Sequence, residues 1–424
     1  MRLKTEPVRG VRDVLPPESE LIRALVSKFI SVVKSYGYLE VIPPTIESLE
    51  LFTLKSGPEI VRSMYAFKDK AGRDVCLRPE LTASIARIYL KSLIAEPKPI
   101  KVFYVGNAFR YEEPQMGRYR EFTQMGVEYL GDDSLYSDIE LFLILRDYYK
   151  AVGLSNYIIK VNNIGILREL FKSWGIDDET QDLILHYMDK KLLDEALAVI
   201  RRYDKADIEI FNELTSITTE DVNELIKFSS KLNANAALRV KKLADLVSTA
   251  SRLGIGRLII DLGFARGLAY YTDIIFEVNV PVLNISIGGG GRYDTLIELY
   301  GGPPTPATGF ALGVERTYLA LEKLGVASKL IQDVKAMLLS LVDDYVFIDE
   351  VASSLRASNV SVDVRFVSKS KLGDYIGIAS RKGYQYVVIV GEKEVKSEKV
   401  TVKNLITAEQ RECDASDVSK CIGA

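Results

Sequence analysis

The sequence predicts an α+β protein, with a mainly β first domain that contains a helical insertion and a separate α/β domain after it. Apolar and polar residues alternate with period 2 in 107–112 and again from Phe122, which predicts two strands joined by a loop. Strand signals disappear for nearly ninety residues in mid-chain, where apolar residues recur at helical spacing. Near the C-terminus strands and helices alternate at short intervals, which is typical of a compact α/β unit. The predicted domains are 1–325, with the insertion at about 165–251, and 330–424.

The composition restricts the class of protein. Hydrophobic residues make up 47% and charged residues 27%, as in ordinary soluble proteins. A net charge of −3 gives no overall sign of nucleic-acid binding, so any such partner needs a local basic surface. Cys76, Cys413 and Cys421 form no CxxC, which argues against a disulfide scaffold or a cysteine-rich zinc site and suits a reducing cytoplasm. The charged N-terminus and the lack of a long apolar run predict neither a signal peptide nor a membrane span.

The chain has a single histidine, His186. HExxH metalloprotease chemistry and histidine-rich metal clusters are therefore excluded. A serine or cysteine triad would have to recruit His186, which lies at helical spacing and is better interpreted as a helix-surface or core residue. Any chemistry must then depend on arginine, carboxylate, tyrosine and a metal ion.

The first elements in the chain are a helix, a strand and a hairpin. Apolar spacing predicts an amphipathic helix over Pro16–Tyr36 and a short strand over Tyr38–Ile42. The apolar stripe of this helix is wide enough for two partners, so a dimer interface and plain core are both open interpretations. After a hairpin over 64–78, Glu80 and Thr82 open a helix, where they either cap it or contact a ligand.

The hairpin Phe109–Gly131 is the most informative stretch. Its loop, Glu113–Arg120, is too long and too charged for a tight turn. One face of the strands carries a guanidinium, two carboxylates and an amide around Gly126, which leaves room for a ligand above the sheet. Because the planar fork of arginine suits phosphate and carboxylate, we interpret the hairpin as an anion-binding element; a merely solvated face is the alternative.

Two glycine-bearing stretches and one arginine follow the insertion. ARGLAYYT leads into a strand, and GGGGRYD follows another. Neither a GxxxxGK[ST] motif nor a GxGxxG motif in a βαβ setting is present, so the glycines indicate close approach of a ligand to the backbone rather than a P-loop or Rossmann site. Arg316 lies in the first turn of a helix, where a cation is disfavoured by about 0.3 to 1 kcal/mol. It therefore indicates an anionic partner, with Glu315 or Glu322 as the alternative.

Six stretches occur in a fixed order along the chain: RGVRDVLPPE, LRPELT, FRYEEPQMGRYREFTQMGVE, ARGLAYYT, GGGGRYDTL and GFALGVER. Together they resemble class II aminoacyl-tRNA synthetases, and among these the histidyl-tRNA synthetases, over nearly the whole chain. The third and sixth stretches match class motifs 2 and 3, and the fourth and fifth match histidine-specific motifs. The resemblance implies an antiparallel sheet flanked by helices as the catalytic core, a helical insertion and a C-terminal α/β domain that binds the anticodon.

The resemblance also implies substrates and site residues. The reaction would join L-histidine to tRNA(His) through a histidyl-adenylate, with ATP and Mg²⁺, in a cytoplasmic homodimer and without protein metal ligands. The catalytic residues would be Arg110, Arg266 and Arg316. Histidine would be bound by Glu80, Thr82, Gln124, Glu128, Tyr270 and Tyr271. ATP would be bound by Arg110, Glu112, Arg118 and Arg316, and the acceptor end of tRNA by Arg118 and Arg120.

Physical reasoning agrees with these assignments. Joining a carboxylate to the α-phosphate brings two anions together, so fixed cations and magnesium are needed rather than a histidine base. An imidazole substrate needs an acceptor for one ring N–H and a hydroxyl for the other nitrogen, which Glu128 and Tyr271 supply. Two positions depart from the family pattern: Ala269 replaces an acid and Asp273 replaces a glycine. The hypothesis is that Asp273 compensates for Ala269.

A different function remains as the alternative. A non-catalytic paralogue would act as the histidine-sensing regulatory subunit of ATP phosphoribosyltransferase. The complete set Arg110, Arg266 and Arg316 argues against this alternative, as does the extra domain after Gly325.

Overall fold

The structure is a computed structural model that describes residues 5–54, 63–266, 270–283, 285–331 and 334–422. Ala269 lies outside the described residues. The chain divides into two compact units, residues 1–330 and 331–424.

The first unit combines strands with helices. Its described strands are β1 (Leu39–Glu40), β2 (Ile46–Ser48), β3 (Tyr65–Lys68), β4 (Asp74–Leu77), β5 (Ile100–Phe109), β6 (Glu121–Leu130), β7 (Ile158–Asn163), β8 (Thr218–Thr219), β9 (Arg257–Asp261), β10 (Ile274–Val280), β11 (Ile285–Arg292) and β12 (Ala307–Gly313). Its described helices are α1 (Glu18–Ser35), α2 (Leu49–Thr53), α3 (Thr82–Ile88), α4 (Leu135–Ala151), α5 (Ile164–Ser173), α6 (Asp178–Asp189), α7 (Leu193–Ile200), α8 (Ile208–Ser216), α9 (Val222–Ser229), α10 (Ala234–Arg252), α11 (Leu296–Leu299) and α12 (Val314–Lys323). Helices α5 to α10 correspond to the predicted insertion.

Nine of these strands form one sheet in the order β1-β5-β6-β12-β11-β10-β7-β9-β8. All neighbours are antiparallel except β1–β5 and β7–β9. A smaller sheet has the order β2-β4-β3. The prediction of an α+β fold with an antiparallel core is confirmed. Because β6, β12, β11 and β10 are consecutive in the sheet, motif 2, motif 3 and the glycine run become neighbours although the chain separates them widely.

Helix α1 covers one face of the large sheet. Its buried stripe consists of Leu21, Leu25, Phe29 and Val33. The Phe29 ring makes edge contacts with Phe103, Tyr148 and Phe310, with centroid distances of 6.5, 5.6 and 6.4 Å. The apolar stripe therefore packs on the sheet of its own chain. This favours the interpretation of the stripe as core over its interpretation as a dimer interface.

A buried ion cluster fastens the insertion to the sheet. Arg292 ends β11, is 1% exposed, and pairs with Asp138 of α4 at 2.9 Å. Asp273 precedes β10 and pairs with Arg239 at 2.7 Å and Lys242 at 3.0 Å, both on α10. Breaking the fully buried Arg292–Asp138 pair costs about 3 to 5 kcal/mol, because one charge is left uncompensated. The cluster therefore holds α4, α10, β10 and β11 in one arrangement.

The second unit is the predicted α/β unit. Its described strands are β13 (Lys335–Ser340), β14 (Ser361–Phe366), β15 (Tyr386–Val390), β16 (Lys399–Asn404) and β17 (Gln410–Asp414), and its helices are α13 (Tyr345–Ala357), α14 (Leu372–Arg381), α15 (Glu392–Ser397) and α16 (Val418–Cys421). The sheet order is β14-β13-β15-β16-β17. The first three strands are parallel and the last two antiparallel to their neighbours.

One feature of this unit differs from the sequence analysis. Cys413 in β17 and Cys421 in α16 form a disulfide, with Cα atoms 6.3 Å apart. The chain turns back after β17 into α16, which brings together two cysteines eight residues apart, whereas the cysteine pattern in the sequence argued against a disulfide scaffold. Cys76 is free and buried.

Among the residues that the structure describes, no helix is both long enough and apolar enough to cross a membrane.

Candidate active site

One cavity lies over the glycine-rich middle of the large sheet. Its walls come from β6, β10, β11, β12, the start of α3 and the loop between β5 and β6. The predicted site residues that line it are Glu80, Thr82, Arg110, Glu112, Arg118, Gln124, Glu128, Arg266, Tyr270, Tyr271 and Arg316. The sheet therefore brings together eleven of the twelve residues predicted from the sequence, and Arg120 is the exception.

Arg316 marks a cationic end of the cavity. Its Nε donates to the Gly117 carbonyl and its Nη1 to the Ser286 carbonyl, both at 2.9 Å. Burial and the positive charges of Arg118 and Arg110 lower the pKa of Arg316. Mutually repelling, partly desolvated guanidinium groups favour an anionic ligand.

The alternative partners for Arg316 are engaged elsewhere. The Glu315 carboxylate accepts from the Thr123 backbone N–H at 2.9 and 3.0 Å. Glu322 accepts from the Tyr318 hydroxyl at 2.8 Å. These contacts favour the ligand interpretation of Arg316 over an internal ion pair.

Arg110 and Arg266 are held by backbone carbonyls. Arg110 Nε donates to the Pro79 carbonyl at 2.9 Å, and its guanidinium lies 5.3 Å from the Phe122 ring centroid. Arg266 Nη1 donates to the Phe276 carbonyl at 2.9 Å. A Cβ at Gly289 would lie 1.9 Å from Arg266 Nη1, so only glycine lets this side chain lie flat on the sheet. Both guanidinium groups keep further donors for an anion.

Glu128 is the most strongly buried charged group that lines the cavity. Its Oε1 accepts from the Thr82 hydroxyl at 2.8 Å and the Tyr104 hydroxyl at 3.3 Å, and its Oε2 accepts from the Tyr293 hydroxyl. Burial raises the pKa of Glu128 to about 8, although the three hydroxyl donors oppose the shift. The side chain reaches this position because Gly309 has no Cβ, which would lie 1.8 Å from Oε2.

Glu80 both caps a helix and lines the cavity. Its carboxylate accepts from the backbone N–H groups of Thr82 and Ala83 at the start of α3. Burial raises the pKa of Glu80 in spite of these bonds. Glu80 therefore caps the helix and also stands where a ligand in the cavity could contact it. Gln124 contributes a buried Oε1 with no hydrogen-bond partner among the described residues, so it is available to a donor on a ligand.

Arg120 has a different environment from the one predicted. It is 7% exposed and does not line the cavity. Its Nε donates to the Glu112 carbonyl at 3.1 Å and its Nη1 to the Arg9 carbonyl at 3.3 Å. The guanidinium is stacked 3.7 Å from the Tyr111 ring centroid. The Arg120 guanidinium makes all of these contacts within the protein, so its assignment to the acceptor end of tRNA does not fit the structure.

Asp273 also points elsewhere. Its carboxylate contacts Arg239 and Lys242 of the insertion, and it does not line the cavity. The hypothesis that Asp273 replaces the acid missing at Ala269 is therefore wrong.

Several residues of the site were not predicted, among them Tyr104, Tyr293 and Glu277. Tyr104 and Tyr293 orient Glu128, and Glu277 lines the cavity. Tyr104 on β5 lies six residues before Arg110, which directly follows that strand. An even separation along an extended chain places both on the same face, so period 2 was a usable signal. Tyr293 stands within GGGGRYD, but its contact with Glu128 depends on strand neighbours that are distant in sequence.

The comparisons with known proteins agree with this geometry. Residues 10–317 match the family model of histidyl-tRNA synthetase, and residues 335–424 match that of an anticodon binding domain. The chain is 41% identical over 414 residues to a histidine–tRNA ligase of Sulfurisphaera tokodaii, covering 96% of this chain and 95% of that protein. It is 42% identical over 412 residues to that of Sulfolobus acidocaldarius, with the same coverage. Histidyl-tRNA synthetase of Nostoc sp. PCC 7120 superposes with a TM-score of 0.82 at 23% identity, covering 100% and 99% of the chains.

The raised pKa of Glu128 predicts a pH dependence of stability. From its ordinary value of about 4.5 to about 8, the folded ligand-free protein holds this proton while the unfolded chain has lost it. The free energy of unfolding therefore falls as pH rises through this window, by up to about 1.4 kcal/mol per pH unit. Glu128→Gln removes the titration, so we expect the variant to gain stability relative to wild type as urea unfolding is measured from pH 5 to 8.

The exposed Glu195→Gln, on helix α7, is the matched control, and its difference from wild type should stay constant. A difference between Glu128→Gln and wild type that does not change across the window would show that Glu128 titrates normally.

Proposed function

The chain belongs to the histidyl-tRNA synthetase family and ligates histidine to tRNA(His) with ATP, and we propose that the cavity described above performs this reaction with the residues assigned below. The observation that carries the proposal is the pairing, within one cavity, of three carbonyl-anchored arginines with a buried carboxylate surrounded by hydroxyls. The regulatory alternative is not favoured, because relatives at 40–42% identity across nearly the whole chain are ligases.

Arg110 and Arg316 bind the phosphates of ATP, and Arg266 lies between the histidine carboxylate and the α-phosphate. Their charge offsets the repulsion between two anions in the transition state. The backbone carbonyls that hold them fix their positions before ATP binds, so little reorganisation is needed. Glu112 and Arg118, which pair at 3.2 Å, border the same region of the cavity and contact ATP.

Magnesium fits this region. The described residues contain no cluster of three or more metal-ligating side chains, and Mg²⁺ is commonly held by one or two carboxylates plus substrate phosphates. Glu112 and Glu277 line the cavity and are the residues that would hold it. When bound, the ion neutralises charge on the phosphates.

The other part of the cavity binds histidine. Glu128 accepts an imidazole N–H, and the Tyr271 hydroxyl serves the second ring nitrogen. Tyr270 packs against Tyr271 at a centroid distance of 5.0 Å and closes the pocket. Gln124 Oε1 and the Glu80 and Thr82 side chains receive the α-ammonium group. An amino acid without an imidazole would leave these buried groups unpaired, which is how large discrimination arises.

The second unit binds the anticodon of tRNA. Tyr345 is 66% and Phe366 47% exposed, and their rings are 5.3 Å apart. Phe366 ends β14, and Tyr345 is the first residue of α13, the helix that follows β13; Lys369 and Lys371, shortly after Phe366, are exposed. Exposed aromatic rings beside cations suit unstacked bases and their phosphates. At the catalytic unit, Arg118 remains as the residue for the acceptor end of tRNA.

The chain forms a homodimer in the cytoplasm. Leu39 is 72% and Ile42 80% exposed, and β1, which contains Leu39, is an edge strand of the large sheet. Ile46 and Phe67, on the small sheet, are also exposed apolar residues. Sheet edges and exposed apolar side chains are normally covered, and a second copy of the chain would cover them. These exposed side chains support an interface at the predicted strand rather than along the buried stripe of α1.

Exchange of pyrophosphate into ATP tests the reaction. Exchange should depend on histidine among the twenty amino acids, because only an imidazole satisfies Glu128 and Tyr271. Arg266→Ala should lower the rate at least a hundredfold while the protein stays folded, because its contact matters most in the transition state.

The exposed Arg411→Ala is the control for this variant and should keep the wild-type rate. Exchange by Arg266→Ala near the wild-type rate would refute the role of Arg266, and no exchange by wild type with any amino acid would support the regulatory alternative.

Tyr345→Ala tests the anticodon surface. Loss of one stacked base, worth about 1 to 3 kcal/mol, should raise the KM for tRNA roughly tenfold in aminoacylation. Histidine-dependent exchange should not change, because it does not involve tRNA. Ile406→Ala, which is 77% exposed in the same unit, should behave as wild type. An equal effect of both substitutions on the KM for tRNA would contradict a stacking role.

Ile42→Asp tests the dimer. Light scattering should give twice the chain mass for wild type and the mass of one chain for the variant, because a carboxylate would be buried unpaired in the interface. The exposed Ile406→Asp should remain dimeric. A monomeric wild type at micromolar concentration would exclude the proposed interface.

A further inference from the structure

The segment before α1 crosses the loop that carries Arg118. We define the strap as residues Arg9–Arg12 and the hairpin loop as Glu113–Arg120. We propose that the strap positions the hairpin loop over the ATP region of the cavity, with Gly10 and Arg120 as the positioning residues. The inference rests on the proposed function, because it assigns ATP to that region.

Arg120 connects the strap to the mouth of the hairpin. Its backbone N–H donates to the Gly10 carbonyl at 2.8 Å, and its side chain reaches the Arg9 carbonyl. Its own carbonyl accepts from the Arg110 N–H at 2.9 Å. Arg120 therefore hydrogen-bonds both to the strap and to Arg110, which binds ATP phosphate. Since Arg120 is 7% exposed and stacked on Tyr111, it has little freedom to move independently.

Gly10 makes this contact possible. Its φ is +89°, which is a left-handed conformation that side chains other than glycine rarely adopt. A Cβ there would lie 2.5 Å from Cδ and 2.6 Å from Cγ of Arg120. The three nearest atoms all belong to the Arg120 side chain, so a larger residue at position 10 has to displace Arg120.

The strap contacts the hairpin loop at both of its ends. The Arg12 guanidinium lies 4.5 Å from the Tyr119 ring centroid and donates two hydrogen bonds to Glu18 at the start of α1. Arg9 pairs with Glu113 at 2.8 Å, but this pair is exposed and contributes little. The strong contacts are thus at the Tyr119–Arg120 end, and α1 anchors them.

The geometry predicts that displacing Arg120 changes the KM for ATP and not the KM for histidine. Arg118 and Tyr119 line the cavity, and both adjoin Arg120 in the chain. Displacing Arg120 therefore moves residues that face ATP. Glu128 lies eight residues further along β6, where pairing with β5 and β12 holds it, and its donors Thr82 and Tyr293 lie outside the hairpin. A strap that only stabilised the fold would change melting temperature without separating the KM for ATP from the KM for histidine.

Gly10→Ala is the test, and Gly153→Ala is the matched control. Gly153 has φ +75° and nothing within 4 Å of a Cβ, so both substitutions strain the backbone but only one displaces a side chain. In pyrophosphate exchange, Gly10→Ala should raise the KM for ATP about tenfold and leave the KM for histidine unchanged. Gly153→Ala should leave both unchanged. Equal kinetics of the two variants would overturn the proposal.

The double variant Gly10→Ala/Arg120→Ala shows whether Gly10 acts through Arg120. We expect its KM for ATP to equal that of Arg120→Ala alone, because the clash has no target once the side chain is removed. If the two substitutions instead raised the KM for ATP by factors that multiply in the double variant, Gly10 would not act through Arg120. If Gly10→Ala does not fold, Arg120→Gln provides the same comparison of the two KM values.

Limited trypsin digestion gives a readout that does not depend on activity. The hairpin loop contains Arg118, and a released loop should be cut at this residue several-fold faster in Gly10→Ala than in Gly153→Ala. Equal cleavage rates in the folded variants would overturn the strap even if wild type catalysed no exchange. Absence of exchange by wild type together with faster cleavage would instead overturn the proposed function and retain the strap.

Discussion

The site depends on burying charged side chains flat against a sheet, which is possible only where the sheet has no Cβ atoms. Gly309 makes room for Glu128 and Gly289 makes room for Arg266, each with less than 2 Å to a hypothetical Cβ. Removing a carboxylate from water costs several kcal/mol, and three hydroxyl donors offset part of this for Glu128. The part of this cost that the hydroxyl groups do not offset raises the pKa of Glu128.

The surrounding fold holds the strands beneath the cavity in place. The antiparallel neighbours β6, β12, β11 and β10 place the glycines beneath side chains that arrive from different parts of the chain. The buried cluster around Arg292 and Asp273 joins the ends of β10 and β11 to helices α4 and α10, so the insertion is fastened to two strands that line the cavity. The strap contacts the hairpin loop through Arg120 and Tyr119. Arginines with fixed positions need no reorganisation when phosphate binds.

The sequence predicted much of this arrangement, and the predictions for Arg120 and Asp273 failed for the same reason. Periodicity and motif order predicted the α+β fold, the insertion and eleven of the residues that line the cavity. The family resemblance assigned Arg120 to tRNA because it stands in the motif 2 loop, but its guanidinium is stacked on Tyr111 and donates to two backbone carbonyls. Asp273 shares a strand face with Tyr271 in the pattern, yet its carboxylate is drawn to Arg239 and Lys242 of the insertion. In each case a partner distant in sequence decided the orientation.

The sequence by itself determined which chemical groups are available: a chain with one histidine and a full set of arginines can join two anions only by electrostatic stabilisation. It also determined the order of strands and helices, because local periodicity specifies them. Only the tertiary structure decided which polar groups meet. Tyr104, Thr82 and Tyr293 surround Glu128 because strand pairing and helix placement bring them there, and the pKa of a carboxyl group depends on those neighbours and on its burial rather than on its position in the chain.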